Sequence, residues 1–275
     1  MPTTIIAEIG INHNADLSIA KRLIDVAAAA GVDYVKFQKR NPDLCIPDEQ
    51  KGIMRDTPWG RMSTIEYKWK MEFGYEDFQH IDAHCKSRGI KWFASAWDIE
   101  SLSFLKRFCP DYVKVASALM ENFEFLNCCK NFGTPVILST GMCDYGIIEN
   151  AIRCVGKQDI ACLMHCTSTY PTKTEELNLN CITDYRTRYG FTKIGFSNHH
   201  PGLVFMPVAV ALGAEMIEFH LTLDRSMWGT DQAASIEPEG AVKLVKWIRG
   251  IEAAMGDGQK RIFDSEIPIM KKLRK

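Results

Sequence analysis

TKIGFSNHHPGLVFMPVAVALGAEMIEFHLTLD, residues 192–224, holds two short apolar runs, 192–197 and 216–220, separated by one helix-length segment, 202–214. A histidine stands at the end of each run: His199 just after the first, His220 closing the second. Run, helix and run at this spacing make one βα unit. The spacing predicts two neighbouring parallel strands with both imidazoles at the same rim of the sheet. Neutral imidazole is the commonest protein metal ligand, and a divalent ion with two protein ligands keeps positions open for a substrate. The plainer alternative is two unrelated polar residues at strand ends.

Outward from this unit the same alternation fills the chain. Strand-like runs fall at residues 4–9, 34–37, 91–95, 112–115, 135–139 and 160–165, besides the two above, and are short and apolar, as in sheets buried on both faces. Helical patterns lie between them. The clearest runs from Asp16, a natural N-cap, through Leu23, Ile24, Ala27 and Ala30 to Gly31, a natural C-cap. Others span 75–89 and 238–255. Eight strands each followed by a helix in about 250 residues predict an α/β fold, a (β/α)8 TIM barrel. An open doubly wound sheet is the competitor, but no glycine-rich dinucleotide turn follows the first strand. The expected organisation is one barrel domain over residues 1–275. Its rhythm is broken by a long polar insertion at about 40–74, expected over the barrel mouth.

Composition narrows the partners. Hydrophobic residues make up 46% and charged residues 24% of the 275, with formal net charge −1 and no long basic run. These values suit an ordinary globular protein and disfavour nucleic acid or an anionic membrane as partner. The N-terminus has neither the basic nor the apolar stretch of a signal peptide, and no run is long enough to cross a bilayer, so a cytoplasmic location is expected. The ten cysteines show no CxxC pair. Several, among them Cys85, Cys154, Cys162 and Cys166, fall in strand or helix patterns and are expected as small buried hydrophobes.

In a barrel of this type chemistry collects at the strand ends. Those positions hold Glu8, Lys36, Gln38, Ser95, Lys114, Ser117, Ser139, Ser168, Tyr170, Ser197, His199, His220 and, farther on, Asp231. An unpaired buried ammonium is costly, so Lys36 and Lys114 should each meet an anion, either a bound phosphate or carboxylate or an ion pair with Glu8 or another barrel carboxylate. Lysines, hydroxyls and two histidines together suggest a small phosphorylated anion beside a metal. His165 is expected as a hydrogen-bonded core residue, and His80 and His84 as surface residues of a helix.

Several strings, taken in order, resemble the N-acetylneuraminate (sialic acid) synthase family: Glu8-Ile9-Gly10-Ile11-Asn12-His13-Asn14, Lys36-Phe37-Gln38, Ser139-Thr140-Gly141-Met142, His165-Cys166-Thr167, Tyr170-Pro171 and the segment from His220 to Asp224. The resemblance spans nearly the whole chain. It implies a transferase of carbohydrate biosynthesis that forms a carbon–carbon bond between phosphoenolpyruvate and an N-acylated amino-sugar aldehyde, such as N-acetylmannosamine, giving a sialic-acid-like nonulosonate and phosphate. It implies a divalent metal, Mn2+ or Mg2+, on His199 and His220. It places Glu8, Lys36, Lys114 and Asp231 as catalytic residues. Ser117, Ser139, Ser168 and Ser197, with the two lysines, would touch phosphoenolpyruvate, Ser95 would bind substrate, and Gln38 and Tyr170 would stand on the acceptor side. Ser168 stands where the family often has asparagine, and Ser95-Ala96-Trp97-Asp98 replaces a serine-threonine-proline-phenylalanine string.

Typical members carry a C-terminal antifreeze-like (SAF) domain that reaches across a homodimer. The chain is expected to be a short form lacking it, with a homodimer and a separately encoded SAF-type domain as partners. Two further functions stay open at this point: a synthase using another aldose or an aldose phosphate, and a non-catalytic barrel that binds sugar or phosphoenolpyruvate.

Overall fold

The computed structural model describes residues 2–274. Ten strands occur in chain order: β1 (Thr4–Gly10), β2 (Tyr34–Lys39), β3 (Met54–Thr57), β4 (Gly60–Ser63), β5 (Lys91–Ala96), β6 (Val113–Val115), β7 (Val136–Ser139), β8 (Ile160–His165), β9 (Lys193–Asn198) and β10 (Met216–His220). Eight of them close into a parallel barrel in the order β1-β10-β9-β8-β7-β6-β5-β2, and β3 and β4 form a separate antiparallel hairpin. Each barrel strand is followed by a helix that packs outside it, so the expected (β/α)8 barrel is the fold. The predicted strand ends shift by one or two residues; β2, for instance, runs on to Lys39.

The local signals act as their chemistry dictates. The Asp16 carboxylate accepts from the amide of Ser18 at 2.7 Å, and Gly31 takes the left-handed conformation that ends the helix Leu17–Ala30. Such an N-cap contributes about 1 kcal/mol. His84 accounts for part of the next contact: its Nε2 lies 2.8 Å from Asp25 and ties the helix Tyr75–Arg88 to its neighbour.

Strand parity sorts the side chains into an outer and an inner set. Outward residues such as Ile5, Ala7, Val35, Leu163, Ile217 and Phe219 join the large core beneath the helices. Inward residues Ile6, Phe93, Ile137, Cys162, Met164 and Met216 form an apolar plug at the barrel floor. Above that plug the inward positions turn polar. Ladder pairs place Glu8 beside both Lys36 and His220, Lys114 beside Ser95, and Glu218 beside Ser197.

The segment expected as a plain polar insertion has its own architecture. It carries short helices Pro42–Cys45 and Asp48–Lys51, the β3–β4 hairpin, and a helix Thr64–Met71 closed by a reciprocal Ser63–Glu66 cap. Periodicity could not show these elements, because each is too short to register one. The segment folds against the strand-end loops: Phe73 stacks on His13 at 4.1 Å, and Tyr67 meets Trp228 edge-on at 5.3 Å. A further helix, Ile267–Leu273, lies beyond the last one predicted.

Candidate active site

Above the plug opens a cavity of about 210 Å³. Twelve of the thirteen strand-end residues named above line it: Glu8, Lys36, Gln38, Ser95, Lys114, Ser117, Ser139, Ser168, Tyr170, Ser197, His199 and His220. Asp231 stands behind the wall, its Oδ2 3.6 Å from His220 Nδ1. The cavity wall also includes Glu218, which sequence reasoning missed, together with Trp97, Met142 and Cys166.

Glu218 organises the floor. Its Oε2 accepts from Lys114 Nζ at 2.9 Å, its Oε1 accepts from Ser197 Oγ at 3.1 Å, and Lys36 Nζ lies 3.7 Å away. Lys36 is also ion-paired with Glu8 and donates to Ser95 Oγ at 3.0 Å. Of the two readings open for the lysines, the structure shows carboxylate pairing. The signal for Glu218 was available: on an alternating strand that ends at His220, Glu218 must face the same way.

The two carboxylates behave differently. Burial would lift Glu218, but Lys114 and Lys36 overcome it and hold its pKa at about 2. Burial dominates at Glu8 and raises its carboxyl above the usual range despite the neighbouring Lys36. Burial likewise opposes charge on Lys36, yet Glu218 and Glu8 outweigh it and raise the lysine. Glu218 is therefore a standing counter-ion, and Glu8 is the carboxyl more ready to take a proton.

Glycine makes room for this arrangement at two places. Gly10 has a φ of +50°, and a Cβ there would lie 2.8 Å from Glu8 Oε1 and 3.1 Å from Gln38 Nε2, whose own bond to Glu8 is 2.9 Å. At Gly141 a Cβ would press on Ser168, on Ser117 Oγ at 2.9 Å and on Cys166 Sγ at 3.1 Å. The bare backbone instead donates its amide to Ser117 Oγ at 3.0 Å.

His199 and His220 face each other with ring centres 5.5 Å apart. The Thr167 carbonyl lies 2.7 Å from His199 Nδ1. A carbonyl only accepts, so Nδ1 carries the proton and Nε2 offers its lone pair, here taken by the Tyr170 hydroxyl at 3.1 Å. Burial and the nearby His220 push the pKa of His199 down to about 3, which keeps it neutral. Among the described residues buried His220 Nδ1 has no hydrogen-bond partner. Among the described residues no group of three His, Cys, Asp or Glu side chains converges as a closed metal shell.

The residues expected to stand apart do so. His165 is buried outside the barrel wall, its Nε2 donating to the Leu177 carbonyl at 2.8 Å, and His80 is exposed. All ten cysteines are free thiols; Cys85, Cys162 and Cys166 are buried, whereas Cys154 is only partly so. No helix of the described residues is long and apolar enough to cross a membrane.

Known proteins resemble the chain along most of its length. The chain is 36% identical over 270 residues to N,N'-diacetyllegionaminic acid synthase of Campylobacter jejuni, covering 96% of this chain and 80% of that protein. It is 34% identical over 279 residues to human N-acetylneuraminate-9-phosphate synthase, covering 100% and 77%. The crystal structure of N-acetylneuraminic acid synthetase from Leptospira borgpetersenii superposes with a TM-score of 0.87 at 32% identity, over 100% of this chain and 93% of that one. The NeuB family model matches residues 23–260, and with these relatives it shows that the chain belongs to the NeuB family.

Proposed function

We propose that this protein condenses phosphoenolpyruvate with an N-acylated amino-sugar aldehyde, giving a sialic-acid-like nonulosonate and inorganic phosphate. The carrying observation is the pair of buried ammonium groups, Lys36 and Lys114, ringed by serine hydroxyls and set below two histidines in one cavity. Relatives that bear synthase names support the reading.

The donor belongs at the floor. Lys36 and Lys114 offer ammonium donors that a phosphate and a carboxylate accept from, even while paired with Glu8 and Glu218, and Ser95, Ser117, Ser139, Ser168 and Ser197 offer hydroxyl donors around them. The bare backbone at Gly141 lets the hydroxyls of Ser117 and Ser168 come close beside this floor. Glu218 and Glu8 already aim the lysines, so little reorganisation accompanies the shift of charge in the reaction.

His199 and His220 fit a divalent ion such as Mn2+ or Mg2+. One is a neutral ring oriented through Nδ1 by a backbone carbonyl; the other has an orphaned buried Nδ1 beside Asp231. When bound, such an ion supplies Lewis-acid polarisation of an aldehyde oxygen.

The methylene carbon of phosphoenolpyruvate bonds to the aldehyde carbon. Water adds to the former enol carbon, and the phosphate oxygen leaves from that same carbon, which becomes the ketone of the product. Glu8 is placed to take the proton of the adding water, since it is the carboxyl that burial makes basic. Gln38 keeps Glu8 oriented on the acceptor side. Tyr170, stacked on His199 at 4.1 Å, closes the wall there.

Phosphate release from phosphoenolpyruvate, followed with Mn2+ and a panel of hexosamine acceptors, tests the reading. Release that needs all three components supports it. Tight phosphoenolpyruvate binding without release would make the protein a binder instead.

A further inference from the structure

The insertion reaches toward Glu8 through Arg40, its first residue, which follows directly after β2. Arg40 is clamped through its backbone and its side chain alike. The Trp97 amide donates to the Lys39 carbonyl at 3.0 Å, the Arg40 amide to Glu72 Oε2 at 3.2 Å, and the Asn41 amide to Asp98 Oδ2 at 2.6 Å. Three consecutive residues are thus fixed to two other segments of the chain. The guanidinium lies 5.0 Å over the Trp97 ring, and its Nε stands 3.1 Å from Glu72 Oε1. Both side chains of that ion pair are largely buried, and Lys39 Nζ holds the same carboxylate at 3.2 Å.

The end of this clamped guanidinium meets Gln38. Arg40 donates to Gln38 Oε1, Gln38 Nε2 donates to Glu8 Oε1 at 2.9 Å, and Glu8 Oε2 is ion-paired with Lys36. A guanidinium only donates, whereas a carboxamide has one accepting and one donating end. Turning the amide over would set Nε2 against Arg40 and Oε1 against the carboxylate, two repulsive contacts in place of two bonds. Arg40 therefore selects one of the two amide orientations, the one that donates to Glu8. The Glu8 carboxylate is then held at both oxygens, by Gln38 on one side and Lys36 on the other.

We propose that Arg40, held by Glu72 and Trp97, is a positioning residue that acts through the Gln38 amide to set the orientation of Glu8. This rests on the synthase reading, in which Glu8 takes the proton of the adding water. The relay runs from Glu72, just past the helix Thr64–Met71, through Arg40 and Gln38 to the ladder of β1. Arg40 and Glu72 are not among the residues that line the cavity, whereas Gln38 and Glu8 are. Loss of either outer member therefore acts on the placement of Glu8 and not on the binding of the donor. A misplacement of about 1 Å at a reacting group can cost about a hundredfold in rate.

The test is a double-mutant cycle on phosphate release, with Mn2+, phosphoenolpyruvate and whichever hexosamine the parent uses fastest. Arg40→Met and Gln38→Met are each expected to lower kcat about tenfold or more, with KM for phosphoenolpyruvate within about twofold of the parent. Glu72→Gln is expected to lower kcat by a smaller factor, and Arg40→Lys, which keeps a donor, to lose less than Arg40→Met. Because Arg40 acts through Gln38, adding Arg40→Met to Gln38→Met should lower kcat by no more than about a further twofold. Thermal melting confirms that each variant is folded; if Arg40→Met is not, Glu72→Gln takes its place in the cycle. An unmoved kcat in Arg40→Met or Glu72→Gln, a loss carried by KM for phosphoenolpyruvate, or losses that multiply in the double variant overturn the inference and leave the synthase reading standing. Complete loss of turnover in Gln38→Met does the same, since it makes Gln38 itself a reacting group. No phosphate release by the parent with any hexosamine overturns the synthase reading and this inference with it.

Discussion

Lys114 Nζ and Glu218 Oε2 meet at 2.9 Å across the full diameter of the barrel, from strands four places apart in either direction around the ring. Both side chains are almost completely buried. Breaking such a pair strands a charge, which typically costs about 3–5 kcal/mol, whereas replacing both partners with apolar groups is far milder. Glu218→Gln is therefore expected to lower stability by a few kcal/mol in denaturant melts. Lys114→Met combined with Glu218→Leu is expected to recover much of that loss. A double variant as unstable as the summed singles would show that the pair is not coupled.

The histidine pair separates activity from folding. His199→Ala and His220→Ala remove the proposed metal ligands without opening the core, so each should melt within a few degrees of the parent. Each should also lose heat of Mn2+ binding in titration calorimetry and at least a thousandfold in turnover. Full activity in His220→Ala would dismiss the metal assignment.

Gly141→Ala tests the donor pocket. The added methyl must displace Ser117, Ser168 or Cys166, and such crowding costs about 1–3 kcal/mol. Because the crowded atoms face the cavity, the expected effect is a rise of tenfold or more in KM for phosphoenolpyruvate, with the KM of the acceptor little changed. A uniform rise in both would place the effect elsewhere.

His13 makes stability depend on pH. Burial, then the charge of Arg40, lowers its pKa from 6.5 to about 3, and its Nδ1 accepts from the Ala15 amide at 3.1 Å. The folded state thus favours the neutral ring, while the unfolded chain protonates it below about pH 6.5. The contribution is fully present above pH 6.5 and is lost as pH falls toward 3, by up to about 1.4 kcal/mol per pH unit. His13→Gln should flatten the stability profile over that window in urea melts; an unchanged slope would rule the histidine out as its source.

How much of this was readable beforehand follows from geometry. Strands buried on both faces announce themselves as apolar runs, and eight of them at helix-length spacing leave few folds, so the barrel and its rim were visible. The positions at strand ends were visible for the same reason, and twelve of the thirteen named there line one cavity. Glu218 was hidden because it lies two residues inside its strand rather than at the end, although its parity with His220 places it inward. The packing of Arg40 on Trp97 and of Arg55 and Lys68 on Tyr67 was hidden more deeply. These residues lie in elements of four to eight residues or in the turn before them, and what brings them together is tertiary packing on Tyr67 and Trp97 rather than any local pattern.

The floor of the site and its rim are attached to the molecule in different ways. Glu8, Lys36, Lys114, Ser197 and Glu218 hang from a continuous ladder, so none can shift without dragging neighbouring strands. Among the described residues the β3–β4 hairpin pairs only with itself. Its length and charges can be rewritten without disturbing one hydrogen bond of the barrel. Evolution, or an engineer, can therefore retune what the protein accepts at the mouth as if changing a tool head, while the grip beneath stays the same.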